Sequence, residues 1–136
     1  MTMTETEAPA QAEDTNDVDL GTLPLRAATS RRERAAAQAL LEEGTILGLP
    51  RVRQALVIED ADGRPVCRWD NMMGRLYTLG LDEDDRTFLG LVLSLLPIGL
   101  FTLSAAQDLD ERRLQILLRA IVTLSGNDRI AVGTRL

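Results

Sequence analysis

The chain has 136 residues, a single cysteine and a formal net charge of −6. All 15 of its basic residues are arginine, and neither lysine nor histidine occurs. This composition excludes the lysine of a Schiff base or a P-loop, the histidine general base or metal ligand, and the Ser-His or Cys-His nucleophile pair. We therefore predict a non-enzymatic protein with no catalytic residue, no cofactor and no metal site.

The charged residues are unevenly distributed along the chain. Residues 1–25 contain six acids and no arginine, so this segment holds the whole net charge of −6, and the remaining 15 acids balance 15 arginines. The segment is rich in Thr, Glu, Ala and Pro, which is too polar a composition to offset the entropy of ordering it. The pattern predicts a disordered acidic tail at 1–25, followed by a single small domain at 26–136.

Two features indicate the cellular compartment. The tail has neither the basic start nor the apolar stretch of a secretory signal. The single cysteine, Cys67, can form no internal disulfide, which suits a reducing environment. We predict a cytoplasmic protein.

Three places in the chain resemble a capping box, in which an oxygen-bearing side chain is followed three residues later by an acid. They are Ser30 with Glu33, Asp82 with Asp85, and Asp108 with Glu111. The first predicts a helix from Ser30 to a stop at Gly44. The second predicts a helix that begins after Asp82, and the third an amphipathic helix from Asp108 to Gly126.

The second of these starts belongs to four consecutive acids, residues 82–85. Hard divalent cations are bound by several carboxylates, which makes a cation site one interpretation. Neighbouring acids on a helix point in different directions, however, and acids in a first turn are favoured by the helix dipole. We predict that the cluster caps a helix.

Two short apolar runs, 55–58 and 66–69, flank Asp60-Ala61-Asp62-Gly63, and an Asp-Gly turn between such runs predicts a β-hairpin. Cys67 is expected to be a buried structural cysteine, with a reactive thiol as the alternative. Trp69 is expected to anchor the hairpin to the helices, with an exposed binding hot spot as the alternative.

The run from Thr87 to Gln107 contains no charged residue. It is long enough for a membrane-spanning helix, so a single-span protein with its span within 87–107 is an alternative reading. Pro97 would break a continuous helix, because proline lacks the backbone donor and clashes with the preceding turn. We expect two core elements instead, a helix and then a strand at 100–104, and do not favour the membrane.

A last short strand is predicted at 129–132. The complete prediction is a small single α+β domain in the order α-β-β-α-α-β-α-β, with the acidic tail before it. Since helices and strands both recur along the chain, an α+β class fits this pattern.

The segment 49–66 resembles parts of two known folds. Its first part, 49–56, together with 36–41 and Gly44 is similar to a winged helix-turn-helix, with 60–65 as the wing, which implies a DNA-binding regulator as an alternative function. Val57 and the isoleucine after it favour a strand where a recognition helix would continue. A net-neutral domain also lacks the electrostatic footprint of a DNA-binding protein, so nucleic acid is not favoured as a partner.

The same segment resembles the opening helix and hairpin of Roadblock-type dimerisation domains. Beyond Trp69 we predict helices where that fold has further strands. No family is assigned.

Self-association is the predicted function. A small domain with this much leucine is expected to leave apolar surface uncovered, and a net charge of zero does not keep copies apart. We predict an interaction or regulatory module that forms a homodimer through the C-terminal helix or the Pro97 region, and that binds a further protein partner of unspecified identity. The residues expected to carry the interaction are Trp69, Arg112, Ile116, Arg119 and Val122.

Overall fold

The computed structural model describes residue 25 and residues 30–72, 74–98 and 101–135. The predicted tail, 1–25, lies outside these residues except for its last member, Leu25. That side chain is fully buried in the hydrophobic core. Leu25 therefore packs as part of the domain.

The prediction of a small α+β domain is confirmed. The helices are α1 (Arg31–Glu43), α2 (Pro50–Leu56), α3 (Glu83–Leu93) and α4 (Glu111–Ser125), and the strands are β1 (Val57–Glu59) and β2 (Pro65–Cys67). Short 3-10 helices occur at Ile46–Gly48, Trp69–Met72 and Leu103–Asp108. The two strands form one antiparallel hairpin, in which Ile58 lies opposite Val66.

Helices α1, α3 and α4 begin where side-chain oxygens can bind free amide groups. Ser30 Oγ accepts a hydrogen bond from the Glu33 amide at 3.1 Å, and Asp82 Oδ1 accepts one from the Asp85 amide at 2.8 Å, as predicted. The third cap was placed wrongly by two residues. Asp110, not Asp108, caps α4, because Asp108 belongs to the preceding 3-10 helix.

The apolar run at 87–107 is divided, as predicted. Helix α3 ends at Leu93, and Pro97 cannot donate to the Leu93 carbonyl to extend it. The Ser94 hydroxyl donates to the Gly90 carbonyl at 2.9 Å in the last turn. Within the described part of the chain, no helix combines the length and the apolar character needed to cross a membrane.

Two predicted strands are wrong. In the described part of 100–104, Phe101 and Thr102 are irregular and Leu103 begins a 3-10 helix. The segment 129–132 has no regular structure, and its first amide instead donates to Asn127 Oδ1 at 2.8 Å. A strand needs a neighbouring strand to supply its ladder hydrogen bonds. Among the described residues the sheet contains only β1 and β2, so neither segment has such a neighbour.

The core is centred on the antiparallel pair of α1 and α4. The end of α1 meets the start of α4, where Arg112 donates to the Glu43 carbonyl at 2.8 Å. Small residues allow the two helices to approach closely, and α3 covers the remaining side of the pair. These three helices contribute buried residues to the core, including Ala35, Ala36, Ala39, Leu40, Phe88, Leu89, Val92, Ile116, Leu117 and Ala120.

Candidate functional site

The five residues predicted to carry an interaction are not brought together on one exposed surface. Trp69 is 6% exposed and Ile116 is 2% exposed, so both belong to the core of the domain. Val122 is half-buried on α4. Trp69 thus occupies the position expected of a side chain that anchors the hairpin to the helices.

The two predicted rim arginines bind α1 within the same chain. Arg112 donates to the Glu42 carbonyl at 3.1 Å as well as to the Glu43 carbonyl, and a cation is favourable at this negative end of the α1 dipole. Arg119 forms an ion pair with the Glu42 carboxylate at 2.7 Å. These contacts fasten α4 to the end of α1. The role of these arginines in an interface between molecules stays a prediction.

A buried charged group that sequence reasoning missed lies at the same junction. The Glu43 side chain is 1% exposed, and its carboxylate accepts hydrogen bonds from the Thr45 amide at 2.8 Å, the Thr45 hydroxyl at 2.6 Å and the Ile46 amide at 2.9 Å. Arg113 donates to the same carboxylate at 3.2 Å and to Asp85 at 2.6 Å. One arginine thereby joins α1, α3 and α4.

Electrostatics and hydrogen bonding favour the charged form of both partners. Burial alone would raise the pKa of Glu43, but the hydrogen bonds from Thr45, Ile46 and Arg113 together hold that pKa below its ordinary value. Burial alone would lower the pKa of Arg113, but Asp85 and Glu43 together raise it. The Glu43 carboxylate has its hydrogen-bond and charge partners within the chain, and its role is therefore structural.

The acidic cluster at 82–85 also has structural roles. Asp82 caps α3, and Asp85 binds Arg113. Elsewhere in the described ranges, no group of three or more acids, cysteines or histidines is arranged to hold a metal ion. Helix capping, the predicted function of this cluster, is confirmed.

The Cys67 thiol is held in its neutral form. Burial, and then the negative charge of Glu33, raise the pKa of Cys67 to about 11. The nucleophile in thiol chemistry is the thiolate, which is scarce at neutral pH for such a group. We expect Cys67 in the folded protein to react with an aromatic disulfide reagent at least about tenfold more slowly than in urea. Equal rates in the folded and unfolded protein would contradict this environment.

An apolar groove is formed by side chains on one side of α3 and the segments around it. It has a volume of about 240 Å³, and no charged side chain lines it. Its walls come from three separate parts of the sequence: Met72, Gly74, Leu76, Tyr77, Leu93, Ile98 and Phe101. We name it the Phe101 groove. It lies in the Pro97 region, one of the two surfaces proposed from the sequence.

One wall of the Phe101 groove is fixed by close packing on α3. Phe101 lies directly over Gly90, because a Cβ atom at that glycine would be 2.7 Å from the aromatic ring. The Ser94 hydroxyl also donates to the Phe101 carbonyl at 3.2 Å. The groove wall is therefore a rigid part of the domain.

Two large apolar side chains are exposed beside this groove. Tyr77 is 73% exposed, and the Arg86 guanidinium lies 4.7 Å from the centre of its ring, a cation–π arrangement. Leu103 is 71% exposed. Since two residues of chain span at most about 7 Å, the Leu103 Cα lies within that distance of the Phe101 Cα. The exposed leucine is therefore close to the groove residue Phe101 along the backbone.

The first half of the domain has the element order of a helix-turn-helix with a hairpin. Helix α1, the Ile46–Gly48 turn and α2 are followed directly by β1 and β2. Helix α2 ends at Leu56 after seven residues, and Val57 begins the strand that its sequence favours. The solvent-facing residues of α2 are Pro50, Arg51, Arg53 and Gln54.

Comparison with protein-family models, with curated proteins and with solved structures gives no match for this chain. Its function is therefore inferred from the geometry of its own residues.

Proposed function

We propose that the protein is a non-enzymatic interaction module that self-associates through the Phe101 groove. The observation that carries the proposal is an uncharged groove lined by the exposed Tyr77, with the exposed Leu103 two residues after the groove residue Phe101. Large apolar side chains exposed next to an apolar concavity are typical of protein interaction sites. We also infer a cytoplasmic location, supported by a half-buried, unreactive Cys67.

The arrangement favours a second copy of the chain as the occupant. In a two-fold symmetric dimer the same patch is used by both molecules, so a suitable patch contains both a protruding side chain and a complementary recess. Leu103 is the protruding side chain, and the Phe101 groove is the recess. Each copy would insert Leu103 into the groove of the other, and each leucine would contribute about 1.5–3 kcal/mol by leaving water.

The packing of the helices favours this face over the C-terminal helix. Ile116 and Leu117, on the apolar side of α4, are buried against the rest of the domain. Leu118 is the exposed large apolar side chain of α4, at 40%, compared with 73% for Tyr77 and 71% for Leu103. Two surfaces were proposed from the sequence. The Pro97 region is the better candidate for self-association, because it contains the Phe101 groove.

The charge distribution is compatible with association. Residues 26–136 carry 15 acids and 15 arginines, so two domains do not repel each other through net charge. The six acids at 1–25 hold the net charge of the chain. These charges would limit association beyond the dimer, because added net charge opposes further assembly.

Replacing Leu103 by aspartate is expected to weaken self-association by at least about tenfold, because the interface would then bury an unpaired charge. The dissociation constant is measured by sedimentation equilibrium of the wild type and the variant. Ile130→Asp is the matched control, since Ile130 is also exposed and does not line the Phe101 groove. Equal weakening by both substitutions would mean that the groove is not the interface.

A second candidate function is DNA binding by the helix-turn-helix and hairpin. The observation that favours it is the element order α1, α2, β1 and β2 with arginines on the exposed face of α2. Binding of duplex DNA at low salt, measured by fluorescence anisotropy, would weaken in Arg53→Gln and in Arg51→Gln. Absence of binding at low salt would exclude this candidate, because phosphate contacts are strongest there.

A further inference from the structure

A second, polar pocket is formed by α2 and the loop that follows the Trp69–Met72 turn. It has a volume of about 230 Å³ and is lined by Arg51, Gln54, Ala55, Arg75, Thr78 and Leu79. We name it the two-arginine pocket. Its two arginines come from α2 and from a loop more than twenty positions later in the chain, so the fold and not the local sequence brings these residues to one pocket.

The two arginines give the pocket a positive charge that no other lining residue offsets. No acid lines it, and neither Arg51 nor Arg75 takes part in the ion pairs formed within the described ranges, which involve Arg112, Arg113 and Arg119. Another polar pocket of the domain provides the contrast: there Arg113 is accompanied by Asp84, Asp108 and Asp110. Two like charges sharing one pocket repel each other, and a bound anion would relieve that repulsion.

Local contacts position the Arg51 side chain and the backbone of Arg75. Gly80 has a φ of +72° and no Cβ, and the Arg51 guanidinium packs against it, with one nitrogen 3.3 Å from the position a Cβ would take. The backbone amide and the hydroxyl of Thr78 both donate to the Arg75 carbonyl at 2.9 Å, which closes a tight turn at that arginine. Ordering the Arg51 side chain in advance lowers the entropy cost of binding a ligand.

We propose that the two-arginine pocket binds the dianionic phosphate group of a small phosphorylated molecule. A guanidinium presents a planar fork of donors that matches phosphate oxygens. Gln54 lies one helical turn after Arg51 on the same face of α2 and supplies a neutral amide donor. This ligand site is separate from the Phe101 groove and does not depend on self-association.

Inorganic phosphate is the probe for the test, and isothermal titration calorimetry at neutral pH is the measurement. The wild type binds phosphate, and Arg51→Gln and Arg75→Gln each weaken the binding by about tenfold or more, because each removes a charge-assisted contact. Arg53→Gln is the matched control: Arg53 is exposed on the same helix and does not line the pocket. The control binds phosphate as the wild type does.

Three outcomes would overturn the proposal. The first is no heat of binding in the wild type. The second is equal weakening in all three variants, which is the result expected of unspecific attraction to surface charge. The third is tight binding of duplex DNA that needs Arg53 as much as Arg51, which would assign these arginines to nucleic acid. Circular dichroism of each variant verifies that the fold is intact, so a loss of binding reports on the pocket.

Discussion

Replacing Glu43 by alanine is expected to lower the free energy of unfolding by about 3–5 kcal/mol, the usual cost of removing one partner of a buried ion pair. The substitution leaves the Thr45 and Ile46 amides without their acceptor and leaves Arg113 with Asp85 as its remaining carboxylate partner. It also removes the contact by which Arg113 joins α1 to α3 and α4. Urea unfolding followed by circular dichroism measures the change.

Glu42→Ala is the matched control for this substitution. Glu42 is the neighbouring acid on α1, it is exposed, and its ion pair with Arg119 lies at the surface. Exposed pairs of this kind contribute about 0–1 kcal/mol. Equal destabilisation by the two substitutions would contradict the central role of the buried carboxylate.

The same carboxylate predicts a dependence of stability on pH. The pKa of Glu43 in the folded protein is below its ordinary value of 4.5, so the folded protein binds the proton less readily than the unfolded chain. Its contribution is fully present above that ordinary value and is lost as the pH falls through the folded pKa. The difference in unfolding free energy between the wild type and Glu43→Gln should therefore shrink in acid. A constant difference across that range would contradict the lowered pKa.

Replacing Gly90 by alanine is expected to destabilise the domain by about 1–3 kcal/mol, although alanine is the better helix former. The added Cβ would be 2.7 Å from the Phe101 ring, which is too close for the ring to stay in place. Moving Phe101 also removes one wall of the Phe101 groove. The variant should therefore lose both stability and self-association, measured by thermal unfolding and by sedimentation.

Gly48→Ala provides the control for that effect, because a Cβ at Gly48 meets no atom within 4 Å. This control should unfold as the wild type does. If Gly90→Ala were as stable as Gly48→Ala and associated normally, Phe101 would not be a rigid wall of the groove.

Local features of the sequence predicted local parts of the structure well. The caps at Ser30 and Asp82 and the hairpin around Asp60 depend on contacts between residues only a few positions apart. The start of α4 was misplaced because Asp108 and Asp110 both have a side chain able to cap a helix. Asp108 is the last residue of a 3-10 helix, and Asp110 therefore caps α4.

The parts of the structure that depend on contacts between distant residues could not be predicted from the sequence pattern. Alternating apolar residues at 100–104 are typical of a strand, but Phe101 packs on Gly90 and no strand lies beside it within the described residues. Glu43 and Arg113 are 70 residues apart, and nothing in their local sequence distinguishes them from surface charges. The Phe101 groove joins segments around positions 72–77, 93–98 and 101, so only the fold brings its walls together.

The central claim is that Leu103 of one copy occupies the Phe101 groove of another. An isotope-filtered nuclear Overhauser experiment on a mixture of labelled and unlabelled protein detects contacts between molecules only. We predict contacts between the Leu103 methyl groups and the ring protons of Tyr77 and Phe101 in the other copy. The claim would be contradicted by a dimer whose intermolecular contacts all lie elsewhere, or by a protein that sediments as a monomer at every concentration.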